Sequence, residues 1–129
     1  MALVSFGASD EGEALRIGAE KYEAFKSEVE RLVAKGGMGD WKLEFAHKRL
    51  QGGHEAQFES NADCTVAYFT YTTSLAKGCT PRPVLAARHE FGHMLSARLT
   101  RLAHKRFVHE DEVLAEEEKL SMICERLLT

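Results

Sequence analysis

The sequence predicts an α+β domain with the element order helix, three strands, two helices. Three observations carry this expectation. Apolar residues recur at helical spacing near the N-terminus, the segments between positions 41 and 73 alternate or concentrate β-formers, and long helix-period runs resume after Pro83. At 129 residues, the whole span 1–129 reads as a single domain large enough to bury a core without disulfide staples.

The first helix is expected over roughly residues 11–35. Tyr22, Phe25, Val29, Leu32 and Val33 form its apolar stripe, Lys and Glu fill the other face, and "KGGMGD" stops it. Three strands are expected next. "WKLEFAH" alternates Trp41, Leu43 and Phe45 with polar positions, and "HEAQFES" alternates more weakly after the Gly52-Gly53 turn. "CTVAYFTYTT" is richest in β-branched and aromatic residues. Short connections make a three-stranded antiparallel meander the simplest sheet. The next helix is expected from Val84 to about Arg101, with Thr80 able to cap it, Pro81 or Pro83 in its first turn, and Leu85, Leu95 and Leu99 inward. A last helix spans about Glu110 to Leu128, with Val113, Leu120, Cys124, Leu127 and Leu128 on its buried stripe. Helices then pack on one face of a small sheet.

Composition narrows the function classes. A net charge of −3 is too weak to select a partner, and 44% apolar with 29% charged residues is ordinary for a folded chain. Three cysteines without CxxC spacing exclude a disulfide framework and a cysteine metal cluster, and fit a reducing cytoplasm. No segment approaches the ~18–20 apolar residues of a membrane span, and the N-terminus lacks a signal-peptide pattern.

The chemistry sits in Arg88-His89-Glu90-Phe91-Gly92-His93-Met94-Leu95, a His-Glu-x-x-His pattern inside the fifth element, the helix from Val84. On a helix, His89 and His93 stand one turn apart on the same face, so both can offer a ring nitrogen to one zinc ion. Glu90 is angled away from the metal's inner shell yet close enough to take a proton from a water held there. Gly92 costs a helix interior ~1 kcal/mol relative to Ala, which suggests a close approach by backbone or substrate.

These residues, with the trailing segment "FVHEDEVLAEEEKLSMICERLL", resemble the zincin metallopeptidases, and most of all their minimal phage-encoded and prophage-encoded members. The resemblance covers roughly residues 41–128. It implies a zinc-dependent endopeptidase of bacterial or phage-infected cytoplasm, one zinc ion as cofactor, His89 and His93 as ligands, and Glu90 as general base. The metzincin subclass is excluded, because its Gly and His are missing after the motif. The gluzincin-like arrangement implies instead a glutamate ligand on the following helix. Among Glu116, Glu117 and Glu118, helical phase favours Glu117, which steps along Val113, Glu117, Leu120 and Cys124; Glu116 stands on the shoulder of that stripe. His109 and His104, at the connection between the last two helices, are rival ligands.

Other features carry blander expectations. Arg98, Arg101 and Lys105 share a helix face and could meet phosphate, although a solvated helix end explains them and no nucleic-acid-binding signature accompanies them. "TVAYFTYTT" could run beside the motif helix as a sheet edge that holds an extended peptide. Tyr68 and Tyr71 point to opposite faces. His47 and His54 read as surface histidines, Cys64 and Cys79 as small apolar fillers. The expected function is therefore zinc-dependent hydrolysis of a peptide bond in a specific protein or peptide substrate, with no membrane partner. The alternative is a zinc-containing binding or assembly protein that catalyses nothing.

Overall fold

The computed structural model of the chain describes residues 14–105 and 107–129; the expected helix start at 11–13 lies outside them. Its elements are β1 (Leu15–Arg16), α1 (Ala19–Lys35), β2 (Lys42–His47), a single 3-10 turn (Gln51–Gly53), β3 (Ala56–Ser60), β4 (Val66–Tyr71), β5 (Ser74–Leu75), α2 (Pro83–Ala103) and α3 (Glu110–Leu128). The α+β class and the order of the main elements agree with the sequence reading. No helix among the described residues is long and apolar enough to cross a membrane.

Helix α1 begins later than expected. Leu15–Arg16 pairs antiparallel with Ser74–Leu75, and the Ile17 amide donates to the Thr73 carbonyl at 2.9 Å while its side chain is buried. Gly18, in extended backbone, then starts the helix. Phe25, Val29 and Val33 form the buried stripe. The stop is a Schellman motif: the Met38 amide donates to the Val33 carbonyl at 3.0 Å and the Gly37 amide to the Ala34 carbonyl at 3.1 Å. Gly37 adopts φ +70, the left-handed conformation this cap requires.

The main sheet corrects the meander. Its strand order is β2-β4-β3, with β2 parallel and β3 antiparallel to β4. The reason lies in β4, whose alternate residues Ala67, Phe69 and Tyr71 are fully buried. The most apolar strand takes the centre, where both edges find hydrogen-bond partners. β3 and β4 form a tight hairpin, in which Asn61 Oδ1 accepts from the Thr65 and Val66 amides at 2.9 and 2.8 Å.

Phe25 of α1 stacks on Tyr71 at 5.0 Å and meets Phe69 edge-on, while Phe45 and Phe58 flank Phe69 from the two outer strands. Ala87, Phe91 and Met94 of α2 complete this core. Leu85, expected inward, is exposed, because the buried face of α2 runs through Ala87, Glu90, Phe91, Met94 and Leu102. Pro83 opens α2, and Arg82 rather than Thr80 is the capping position. The Arg82 amide donates to Glu55 Oε2 at 2.8 Å, and the same oxygen accepts from Tyr71 Oη at 2.6 Å. That carboxylate ties the start of α2 to the end of β4 and fixes where the motif helix lies.

Candidate functional site

His89, Glu90 and His93 occupy the second and third turns of α2, with both histidines exposed and Glu90 only 9% exposed. The two Nε2 atoms converge to 3.3 Å, the ring planes standing at 84°. A tetrahedral zinc holding both nitrogens at about 2.0–2.1 Å would set them about 3.3–3.4 Å apart. The same spacing is long for a hydrogen bond between two rings. The pair thus has the spacing that two nitrogen ligands of one zinc ion would need.

Glu90 faces the core side of the motif. Burial pushes its carboxyl above the usual range, opposed by the charges of His89 and His93, a backbone hydrogen bond from Phe58, and the charge of His54. A carboxyl raised in this way is a stronger base once ionised. Arg88, just before the motif, donates to Glu28 Oε2 of α1 at 2.9 Å, and Arg31 chelates the same carboxylate, so the helix is held in rotation as well as in position.

The motif borders an open cleft of about 830 Å³ lined on one side by α2, from His89 and Glu90 through His93 and Ser96 to Arg101 and His104. The other side is β3. Every residue from Ala56 to Ser60 lines it, and consecutive strand residues belong to opposite faces, so the cleft runs along the strand's edge. Among the described residues that edge is free of other strands, because β3 pairs there only with β4. The edge expected from "TVAYFTYTT" is therefore corrected: β4 is paired on both sides, and β3 takes the place beside α2. The two elements run in the same sense, since Phe58 meets Glu90 and the Cys64 carbonyl meets the Arg98 guanidinium at 3.0 Å.

Glu117 is not brought to this cleft. It is exposed on α3, and the half-buried stripe of that helix is Glu112, Glu116, Leu120, Ile123 and Leu127, one residue out of step with the expected one. Glu116 pairs with Lys119 and lines a different pocket, with Trp41, Met94 and Arg98, and Glu118 is exposed. His109 is the exposed capping residue of α3 and does not line the cleft. His104 ends α2 and lines the cleft's far end. Among the described residues, no group of three or more His, Cys, Asp and Glu is arranged to hold a metal. The cause of the displaced glutamates is the packing of α3, which rests on the side of α2 that carries Met94, Leu95 and Arg98.

The remaining expectations divide. Among the described residues Gly92 meets no atom where a side chain would stand, so none of their backbone makes the close approach expected there. Arg98 pairs with Asp40 at 2.9 Å and lies over the Trp41 ring, and Lys105 pairs with Glu112, which leaves two of the three cations engaged within the chain. Tyr68 is exposed and Tyr71 buried, on opposite faces as expected, and neither lines the cleft. His47 stacks on Tyr22 and lies half-buried rather than at the surface. Cys64 is buried, whereas Cys79 and Cys124 are exposed, and all three are free thiols. The element that sequence reasoning passed over is the β3 edge, together with His54 just before it. The Gly52-Gly53 signal marked that turn, but nothing local could show which strand would lie beside α2. Comparison with protein-family models, curated proteins and solved structures finds no match for this chain.

Proposed function

We propose that the protein is a zinc-dependent peptidase that hydrolyses a peptide bond within an extended segment of a protein substrate. The observation that carries this reading is the 3.3 Å convergence of His89 and His93 Nε2 beside a buried Glu90, at the mouth of a cleft bordered by an open strand edge. Bound between the two histidines, zinc would supply Lewis acidity and lower the pKa of a water towards ~7.

The chain's own residues do the rest. Glu90, with its carboxyl raised by burial, takes the proton of the attacking water and returns it to the departing amine nitrogen. The edge amides and carbonyls of β3 that β4 does not take, apart from the Phe58 amide engaged by Glu90, hold the substrate by β-addition; five residues span about 17 Å, room for a segment of about five residues. Phe58 fixes where that segment crosses Glu90, because its backbone meets the Glu90 carboxylate. No second lobe closes over the cleft among the described residues, so substrate selection falls on the strand edge and on the polar wall of Ser96, Thr100 and Arg101.

The test is Glu90→Gln assayed on an unstructured protein substrate with zinc present. Turnover should fall by ~100-fold or more while zinc content and fold remain. Equal turnover by wild type and Glu90→Gln would remove the enzymatic reading. Zinc binding without hydrolysis by wild type would favour a binding protein instead.

A further inference from the structure

Arg101 stands apart from the other cations along α2. We infer that it determines which segments are cut: its guanidinium pairs with a carboxylate of the bound segment, about four or five residues from the bond over Glu90. The inference rests on the peptidase reading above and names the substrate class of that cleft, an acidic segment.

The neighbouring cations are held inside the chain. Arg88 donates to Glu28 at 2.9 Å, Arg98 is held by Asp40 and the Cys64 carbonyl, and Lys105 pairs with Glu112. Among the described residues, no hydrogen bond or ion pair holds the exposed Arg101 side chain. Its position on the helix brings it to the cleft. His89, His93, Ala97, Arg101 and His104 step by four, four, four and three, so they share one face, and all of them line the cleft.

The cleft's own acids do not answer this cation. Glu90 is buried at the other end. Glu59 is cross-strand from exposed Tyr68 and accepts a hydrogen bond from Gln57, which places it with the outward-facing residues of β3. Asn61, at the end of the strand, has its side-chain amide taken up within the hairpin by Thr65 and Val66. The groups open to an anion there are the Arg101 guanidinium and, three residues on, the His104 imidazole. A run of phosphates would need a row of cations, and Arg98 and Lys105 are already engaged. A single planar fork of donors instead matches a single carboxylate.

Distance sets where that carboxylate lies. Arg101 follows Glu90 by eleven residues, about 16 Å along the helix axis, and long helical side chains lean back towards the N-terminus, which shortens the reach. A segment laid along β3 advances about 3.3 Å per residue, so about its fourth or fifth residue from Glu90 comes level with the guanidinium. The carboxylate is either an Asp or Glu side chain at that position or the C-terminus of a substrate that ends there.

The experiment is cleavage of synthetic unstructured peptides by the zinc-loaded full chain, with cut sites and rates read by mass spectrometry. The starting bonds are first located in reduced, carbamidomethylated serum albumin. One peptide series places Glu, Gln or Lys at each of five positions on either side of the bond, and a second compares free with amidated C-termini. Wild type, Arg101→Ala, Arg101→Lys and Arg101→Glu are assayed, with thermal melts as a control for folding. Wild type should prefer Glu to Gln by ~10-fold in kcat/KM at the fourth or fifth position on one side of the cut, mainly through KM. Arg101→Ala should treat the two peptides alike, Arg101→Lys should keep part of the preference, and Arg101→Glu should prefer Lys. A preference abolished by amidation but not by Gln assigns the same contact to a substrate terminus. An undiminished preference in Arg101→Ala, or wild type that cuts all these peptides alike, overturns the inference and leaves the peptidase reading standing. Wild type that cuts neither the albumin nor any peptide overturns both.

Discussion

Glu90 owes its raised carboxyl first to burial, and the sign of the consequence for stability follows. A carboxyl whose folded pKa lies above its unfolded value (about 4.3) costs the native state stability once it ionises. In the metal-free protein, Glu90→Gln should therefore be more stable than wild type at pH 7. The gap should close as pH falls below about 4, because both forms are then neutral; urea denaturation at pH 7 and pH 4 checks this. Under the proposed mechanism, stability and catalysis would pull apart at this residue. Gly92 gives the second residue-scale expectation. It is exposed and nothing lies where a methyl would go, so Gly92→Ala should raise stability by about 0.5–1 kcal/mol through helix propensity alone. Thermal melts of the variant measure that. A loss of turnover in a stabilised Gly92→Ala would mean that substrate passes over this turn.

At the scale of elements, two carboxylates position α2. Glu55 accepts from Tyr71 Oη and the Arg82 amide, and Glu28 accepts from Arg31 and Arg88. The hydrogen bond from Arg31, then that from Arg88, holds the Glu28 carboxyl down at about 2. A depressed carboxyl contributes stability that is present above its unfolded pKa and lost as pH falls from about 4 towards 2. Both guanidiniums are half exposed, which screens the pair, so Glu28→Gln should cost about 1 kcal/mol at pH 7 and progressively less as pH falls towards and through 2. Chemical denaturation across that range is the check. Tyr71→Phe should cost about 1–2 kcal/mol, since it leaves a carboxylate oxygen short of a donor next to the core. Because Arg88 is adjacent to His89, loss of Glu28 should also loosen the histidine pair.

The elements that hold the motif were more legible than the arrangement around them. Pro83 and the unbroken run behind it announced α2, and the His-Glu-x-x-His spacing required both imidazoles on one face. The strand positions were legible from alternation, whereas their order was not. Pairing partners are set by which strand buries most on both sides, and that is a property of the assembled sheet, not of any one segment. The phase of α3 was misread for a related reason. None of its residues is buried, its apolar residues spread around the helix, and the packed side is completed by Glu112 and Glu116, which pair with Lys105 and Lys119. A carboxylate in an apolar stripe looked like a metal ligand, yet the true stripe holds a different carboxylate, already paired with a lysine. The start of α1 was hidden by Ile17, whose burial belongs to the β1–β5 ribbon and not to the helix.

On the scale of the whole molecule, the fold places an exposed two-histidine face on a helix whose opposite side is locked into the core by Ala87, Phe91 and Met94, and among the described residues one strand edge stays open beside that face. Metal binding to the native state alone would couple to global stability. Zinc at 100 times its dissociation constant should add about 2.7 kcal/mol, roughly 10 °C in Tm for a chain of this size. The most direct test of the central claim is elemental analysis of the purified, zinc-equilibrated and dialysed protein. The account predicts about one zinc ion per chain in wild type and in Glu90→Gln, falling to near zero in His89→Ala and His93→Ala. Wild type that retains no more zinc than those two variants would contradict it.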